Sequence, residues 1–311
     1  MICEQRQDEL PLFQQYWWME TVCRGKSWDV AMAYKGDTLQ GVMPFHYGRK
    51  LGMTYLLQPQ LTQFSGPHFF YPEELSDSHR LEFEKEVAGE LIRQMESIRP
   101  SYCTQCLSPS ITNWLPFYWN GYSQTTRYTY RIDDISDLDS VFANFDRDKR
   151  QRKIKKYLPQ TSVRFDMSPE SFASFHVAYW QSKGQKDILP YDLILNVCSE
   201  AIARHQGFIA SLHDNDGNLL MARFVAYDSE SAYSLMSAYD PQLHRSGHSE
   251  TLHWYAIQYL SGKTKAYDFE GSMDEGIEYF YRSFGAKQVP FFEIGKSNSR
   301  LFKLLMRFKK R

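Results

Sequence analysis

FIASLHDNDGNLLMARFVAY, residues 208–227, reads as strand, tight turn, strand. Two apolar runs flank Asn215-Asp216-Gly217, and the glycine supplies the positive φ that a tight hairpin needs. Far upstream, WDVAMAYKGDTLQGVMPFHY, residues 28–47, has the same form around Lys35-Gly36-Asp37. The text after each hairpin also matches. TYLLQPQLTQFSGP (54–67) and AYSLMSAYDPQLHRSGH (232–248) both hold a strand, then Pro-Gln-Leu, then Ser-Gly. Each half continues with apolar residues at helical spacing, over 81–97 and 249–260. Short strands follow, SYCTQCLS (101–108) and TKAYDFEG (264–271), then the similar segments PFYWNGY (116–122) and YFYRSFGA (279–286), then a closing strand. One match is chance. A series of them in the same order implies a duplicated unit.

The chain has 311 residues, enough for two ordinary domains, and 42% hydrophobic residues provide ample core. A formal net charge of −1 points to neither a DNA binder nor an acidic tail protein. The start MICEQRQDELPLF lacks the basic and apolar regions of a secretory signal, and no run approaches the roughly 18 apolar residues that span a bilayer. Five cysteines, an odd count, argue against a disulfide framework. A cytoplasmic address is expected by elimination. Cys103 and Cys106 form a CxxC with no second ligand pair, so SYCTQC reads as a buried strand and no metal is expected. His244 and His248 straddle an expected helix start, which leaves them no secured metal geometry.

Between the halves lies FDRDKRQRKIKKYLPQ (145–160), read as a basic helix joining two domains and solvated along its charged face. Its alternative use is to meet tRNA phosphates or an anionic acceptor. The chain ends in SNSRLFKLLMRFKKR, with Leu301, Leu304, Leu305 and Phe308 on one helical stripe. That segment is expected to dock on the protein, with peripheral contact to an anionic membrane as the alternative. The expected division is 1–140, a linker helix 141–160, 161–296, and an amphipathic helix 297–311.

The order strand, turn, strand, strand, helix, strand, helix, strand resembles the GNAT acyltransferase fold. Two such halves resemble the Fem family of peptidoglycan-bridge aminoacyltransferases and their acyl-CoA-dependent relatives. The resemblance is clearest over residues 146–294, most of all in YDFEGSMDEGIEYFYRSFGAK (267–287), with a second cue in SKGQKDILPYDLI (182–194) near the family's acceptor site. It implies an α+β fold of two tandem GNAT-like domains, each a mixed, mostly antiparallel sheet flanked by helices. Several Fem members place a Lys beside the Phe of the last helix to serve a tRNA-borne donor. Here the pair is Phe280-Tyr281, which favours the GNAT pattern and acyl-CoA as co-substrate.

Acyl transfer from a thioester needs a phosphate cradle, a donor for the developing oxyanion, and proton management. Arg245, Ser246, Gly247, His248 and Ser249 stand between a strand and a helix, where free N–H groups and the helix dipole favour phosphate. Gly247 is expected to let the backbone approach the ligand, and Arg245 to add charge. The fold resemblance assigns the oxyanion donor to the main-chain N–H of Ser237 or Ala238. Tyr281 is the candidate acid toward the leaving sulfur, although Ile277, Phe280, Tyr281 and Phe284 also fall at core-packing spacing. Asp268 and Glu270, two apart on one strand face, are the candidate bases, or one of them caps the next helix.

The leading expectation is therefore acyl transfer from acyl-CoA to an amine of a small-molecule or cell-envelope precursor. Two alternatives stay open. One is a Fem-like aminoacyl-tRNA-dependent transferase, the other a non-catalytic GNAT-fold module. The first half is expected to be degenerate, since Pro67 sits where a phosphate cradle needs N–H donors.

Overall fold

The computed structural model describes residues 2–25, 27–185, 188–271 and 273–299. They form two compact units: residues 1–127 together with the stretch from Pro290 onward, and residues 128–289. In chain order the first unit supplies α1 (Ile2–Gln5), α2 (Tyr16–Cys23), β1 (Trp28–Lys35), β2 (Thr38–Lys50), β3 (Met53–Leu57), β4 (His68–Phe69), α3 (Asp77–Glu96), β5 (Tyr102–Cys106) and α4 (Leu115–Trp119). β6 (Ser123–Ile132) spans the division. The second unit holds α5 (Leu138–Ala143), α6 (Arg152–Tyr157), β7 (Thr161–Arg164), α7 (Pro169–Ser182), α8 (Tyr191–Ala203), β8 (Gly207–Asp214), β9 (Leu219–Tyr227), β10 (Ser231–Tyr239), α9 (His248–Leu260), β11 (Ala266–Asp268) and α10 (Glu275–Arg282). β12 (Lys287–Ser297) begins in the second unit and ends in the first.

Both hairpins form where their turn chemistry places them. Gly36 and Gly217 take φ +59° and +85°, and the Asp214 carboxylate accepts hydrogen bonds from the N–H groups of Asp216 and Asn218. In the first unit β1, β2 and β3 are antiparallel neighbours, β3 meets β5 in parallel, and β5 pairs antiparallel with β12. In the second, β7, β8, β9 and β10 are antiparallel, β10 meets β11 in parallel, and β11 pairs antiparallel with β6. The two units thus repeat one mixed, mostly antiparallel sheet order, as the duplication implies. Helix α3 packs on β1 and β2 of its own unit, through Val87 and Leu91 among others. Helix α9 packs on β8 and β9, burying Leu252, Ala256, Ile257 and Leu260.

The closing strands depart from the simplest form of the duplication. The strand that follows α4 in the chain, β6, pairs with β11, and the strand that follows α10, β12, pairs with β5. An alternating apolar pattern specifies which face of a strand is buried, not which edge it joins. The compact units therefore divide near residues 127 and 290 instead of at 140 and 296.

The stretch 141–160, expected as a solvated linker helix, is built into the second unit. Arg150 is buried, and its Nη1 donates to Glu250 Oε1 at 3.1 Å and its Nη2 to the Phe280 carbonyl at 3.0 Å. Lys153 Nζ donates to the same Glu250 oxygen at 3.0 Å and to Ser246 Oγ at 2.7 Å. Two of this segment's seven basic side chains, Arg150 and Lys153, therefore point into the protein, which the composition of a basic run does not reveal. Cys103 and Cys106 lie on β5 as a strand, both free thiols. Residues 300–311 of the expected C-terminal helix lie outside the described residues, and Ser297 ends β12. Among the described residues no helix is long and apolar enough to cross a membrane.

Candidate active site

Strand β10 keeps its parallel partner only over its first three residues. Ser231, Ala232 and Tyr233 lie opposite Ala266, Tyr267 and Asp268, and beyond them β10 runs on while β11 ends. Between Ser234 and Met236 the register with β9 also shifts, a bulge that turns the strand locally. A cavity of about 320 Å³ opens where the two strands part. Ser234 to Ser237 border it on one side, and Glu270 and Tyr281 on another. Its volume lies at the lower end of those that hold small ligands.

Glu270 stands directly after β11 with φ +70°, a left-handed conformation that is uncommon for a residue with a Cβ. Asp268 holds it there. The buried Asp268 carboxylate accepts from the Glu270 N–H at 2.7 Å and from Thr129 Oγ1 at 2.5 Å. This corrects the expected pairing of the two acids on one strand face. The strand ends at Asp268, whose carboxylate is occupied within the protein, while the Glu270 carboxyl borders the cavity. Glu270 has no side-chain hydrogen bond among the described residues. Burial, with a smaller contribution from the nearby Asp268 charge, pushes its carboxyl well above the usual range. Neither acid caps α10; that is done by Asp274, which accepts from the N–H groups of Gly276 at 2.9 Å and Ile277 at 3.1 Å.

Tyr281 comes from α10 and packs its ring against Phe269, with centroids 5.3 Å apart. Phe284, one turn on, is fully buried, and His253 lies behind both in the core, its Nδ1 2.9 Å from the Tyr267 hydroxyl. Burial raises the Tyr281 phenol to about 12, against which the Arg223 charge pulls down and Glu270 pushes up. Tyr281 is thus both a packing residue and a cavity residue.

Ser237 borders the cavity, whereas Ala238 is completely buried in β10 and does not. The loop before α9 is closed on itself and on α6. Arg245 Nη1 donates to the carbonyls of Gln242 and His244, and the Arg245 N–H donates to His248 Nδ1 at 3.1 Å. Gly247 takes φ +115°, and a Cβ there would lie 2.5 Å from the Tyr157 ring. Its lack of a side chain is therefore accounted for by Tyr157, where a close approach to a ligand was expected. Ser249 Oγ accepts from Arg223 Nη2 at 3.2 Å.

Sequence reasoning missed Arg223 and His176, both buried and both at the cavity. The signal for Arg223 was present. It is the lone charge in LLMARFVAY, a strand buried on both faces. His176 looks like any core histidine of an amphipathic helix, and nothing in its spacing marks it. The cue SKGQKDILPYDLI does reach this place, since Gln185, Ile188 and Leu189 border the cavity. Among the described residues no three His, Cys, Asp or Glu side chains gather as a metal site.

Residues 146–280 match the family model described as an acetyltransferase (GNAT) domain. The second unit carries a GNAT acyltransferase domain. The whole chain resembles the solved structure of FemX, at 12% identity and TM-score 0.68, covering 90% of this chain and 91% of that one. It also resembles the C-terminal domain of a putative lysylphosphatidylglycerol synthetase from Agrobacterium fabrum, at 11% identity and TM-score 0.59 over 92% and 89% of the two chains. L-PGS from Bacillus licheniformis is similar at 11% identity and TM-score 0.56, over 93% and 94%. At such identities these likenesses concern the fold, which is the GNAT/Fem-like one in both units. No curated protein matches the sequence. The GNAT match in the second unit supports acyl transfer as its chemistry.

Proposed function

We propose that the GNAT domain transfers an acyl group from acyl-CoA to an amine held in the cavity at Ser237, Glu270 and Tyr281. The observation that carries this reading is the parting of β10 from β11, which brings a phenol and a carboxyl with no side-chain hydrogen bond among the described residues to one opening. Glu270 is the base. Its raised carboxyl makes a stronger proton acceptor than an ordinary glutamate, better matched to an amine. Asp268 positions Glu270 and does not itself take the proton. The Ser237 N–H faces the developing oxyanion, and the Tyr281 hydroxyl donates a hydrogen bond to the leaving sulfur.

For the donor's phosphates, the first turn of α9 offers its N–H groups and dipole. Arg245, Arg150 and Lys153 bring three positive charges to that neighbourhood, where the carboxylates of Glu250 and Asp240 also lie. The same network weighs against an aminoacyl-tRNA donor, because Arg150 and Lys153 of the basic stretch are already engaged inside the unit. An amine on a small-molecule or cell-envelope precursor suits the Fem-like fold as acceptor. Calorimetry with acetyl-CoA and longer acyl-CoAs tests the donor. Binding with a modest salt dependence is expected, and no heat from any of them with folded protein would sink the proposal.

A further inference from the structure

Arg223 is a buried cation with no carboxylate in ion-pair reach among the described residues. It projects from β9, an inner strand of its unit, and borders the cavity. Its Nη1 donates to Ser234 Oγ and its Nη2 to Ser249 Oγ, both neutral hydroxyls, and its Nε is buried without a partner. A guanidinium has five N–H donors in a planar fork, so most of its capacity is unused. A buried charge without a counter-charge is costly, and one that faces a cavity can be neutralised by what enters it.

His176 on α7 adds a second unused donor at the same cavity. Its Nε2 lies 3.1 Å from Trp180 Nε1, and an indole nitrogen only donates, so His176 Nε2 is the acceptor. Burial holds the ring neutral, with its value lowered to about 4. The proton therefore sits on Nδ1, which is buried and has no partner. Glu270, whose carboxyl also borders the cavity, forms no ion pair with Arg223 among the described residues. Asp268 does not supply the missing negative charge either, being occupied by Thr129 and the Glu270 N–H. Among the described residues, one uncompensated positive charge and two unused N–H donors surround a small space with Ile188, Leu189, Met236 and Trp180 on its walls.

We infer that the substrate group held in this cavity carries a carboxylate, bound by Arg223 and by the Nδ1–H of His176, as in an amino acid or a carboxyalkyl amine. A carboxylate matches the single charge, and its two oxygens suit a guanidinium fork. The inference deepens the proposed function by naming the substrate class at the same cavity. Its test requires no turnover.

Trp180 borders the cavity, so its fluorescence reports occupancy. N-acetylalanine and its amide, N-acetylalaninamide, differ only in the charged group and serve as probes. With the wild-type protein the carboxylate is expected to bind about 10- to 100-fold more tightly than the amide. In Arg223→Gln, with folding checked by thermal melting, the preference should fall to within about 3-fold, and Arg223→Lys should keep part of it. Equal binding of the two probes, a preference for the amide, or no binding of the carboxylate to the wild type overturns the inference without any variant. A carboxylate preference in a protein that binds no acyl-CoA would leave the inference standing and remove the donor reading instead.

Discussion

In the first unit, β3 and β5 hold parallel register only at Tyr55 opposite Tyr102 and Leu56 opposite Cys103, and the chain then closes the gap itself. Gln58 Oε1 accepts from the Cys106 N–H at 3.0 Å and from Ser65 Oγ at 2.9 Å, while its Nε2 donates to the Thr62 carbonyl. Ser65 makes a parallel bridge to Leu107, and Gly66, at φ +96°, lets the chain pass where a Cβ would meet the Leu107 side chain at 2.7 Å. In the second unit the matching gap, between β10 and β11, is bordered by Arg223, Glu270 and Tyr281, none of which bridges it. The same strand order thus yields a sealed joint in one copy and an open cavity in the other. The decisive difference is the chain between strand and helix. Residues 58–76 are long enough to fold back into the gap, whereas residues 240–247 are taken up in reaching α9.

The strongest way to break this comparison is Glu270→Gln. If the open gap is the working site, turnover followed as CoA thiol release should fall about 10²- to 10⁴-fold, the range of a lost general base. Unchanged turnover would mean that the opening is not where the proton moves. The same variant carries a stability signature. Burial raises the Glu270 carboxyl, so the folded state binds that proton more tightly than the unfolded chain. This contribution is complete below the unfolded value of about 4.3 and is lost as pH rises through the folded value. The melting temperature of Glu270→Gln minus that of wild type should therefore grow with pH, starting near zero in acid. A flat difference would remove the claim that the carboxyl is raised.

Gln58→Ala tests the sealed side. It leaves the Cys106 N–H, the Ser65 hydroxyl and the Thr62 carbonyl without their partner. A loss of about 2 kcal/mol in unfolding free energy is expected from denaturant titration, with turnover unchanged. A large drop in turnover with little change in stability would show that the first unit has a working gap after all.

How much of this contrast was legible beforehand depends on whether its cause is local. Gly36 and Gly217 announced their turns, and the repeated order of segments announced both sheets, because periodicity and turn chemistry act over a few residues. Pro67 raised the expectation of a degenerate first half, whereas the residue that fills the gap is Gln58, an ordinary residue in sequence. The acids of YDFEG looked equivalent, and only the end of β11 at Asp268 separates the positioning residue from the one at the cavity. Gly247 was read as clearance for a ligand because Tyr157, which fills that space, lies some ninety residues away in the sequence. The edge that each closing strand joins is tertiary, and so is the absence of a carboxylate beside Arg223 among the described residues. Both required the fold.

The finest distinction concerns Tyr281. A phenol raised to about 12 is a poor match for a leaving thiolate, whose ordinary value is near 8.5 for an alkyl thiol. Complete proton transfer from Tyr281 to sulfur is therefore uphill, and its contribution is a hydrogen bond to the developing charge. Tyr281→Phe keeps the ring that packs on Phe269 and removes only the hydroxyl. A fall of about 10-fold in turnover is expected, in keeping with a charge-assisted hydrogen bond of about 1.5 kcal/mol. The profile of wild type should also show no loss of rate from a titrating tyrosine up to about pH 10. A drop beyond about 10³-fold, or a tyrosine-like decline below pH 10 that disappears in the variant, would restore Tyr281 as a full proton donor and place its working value well below 12 in the loaded site.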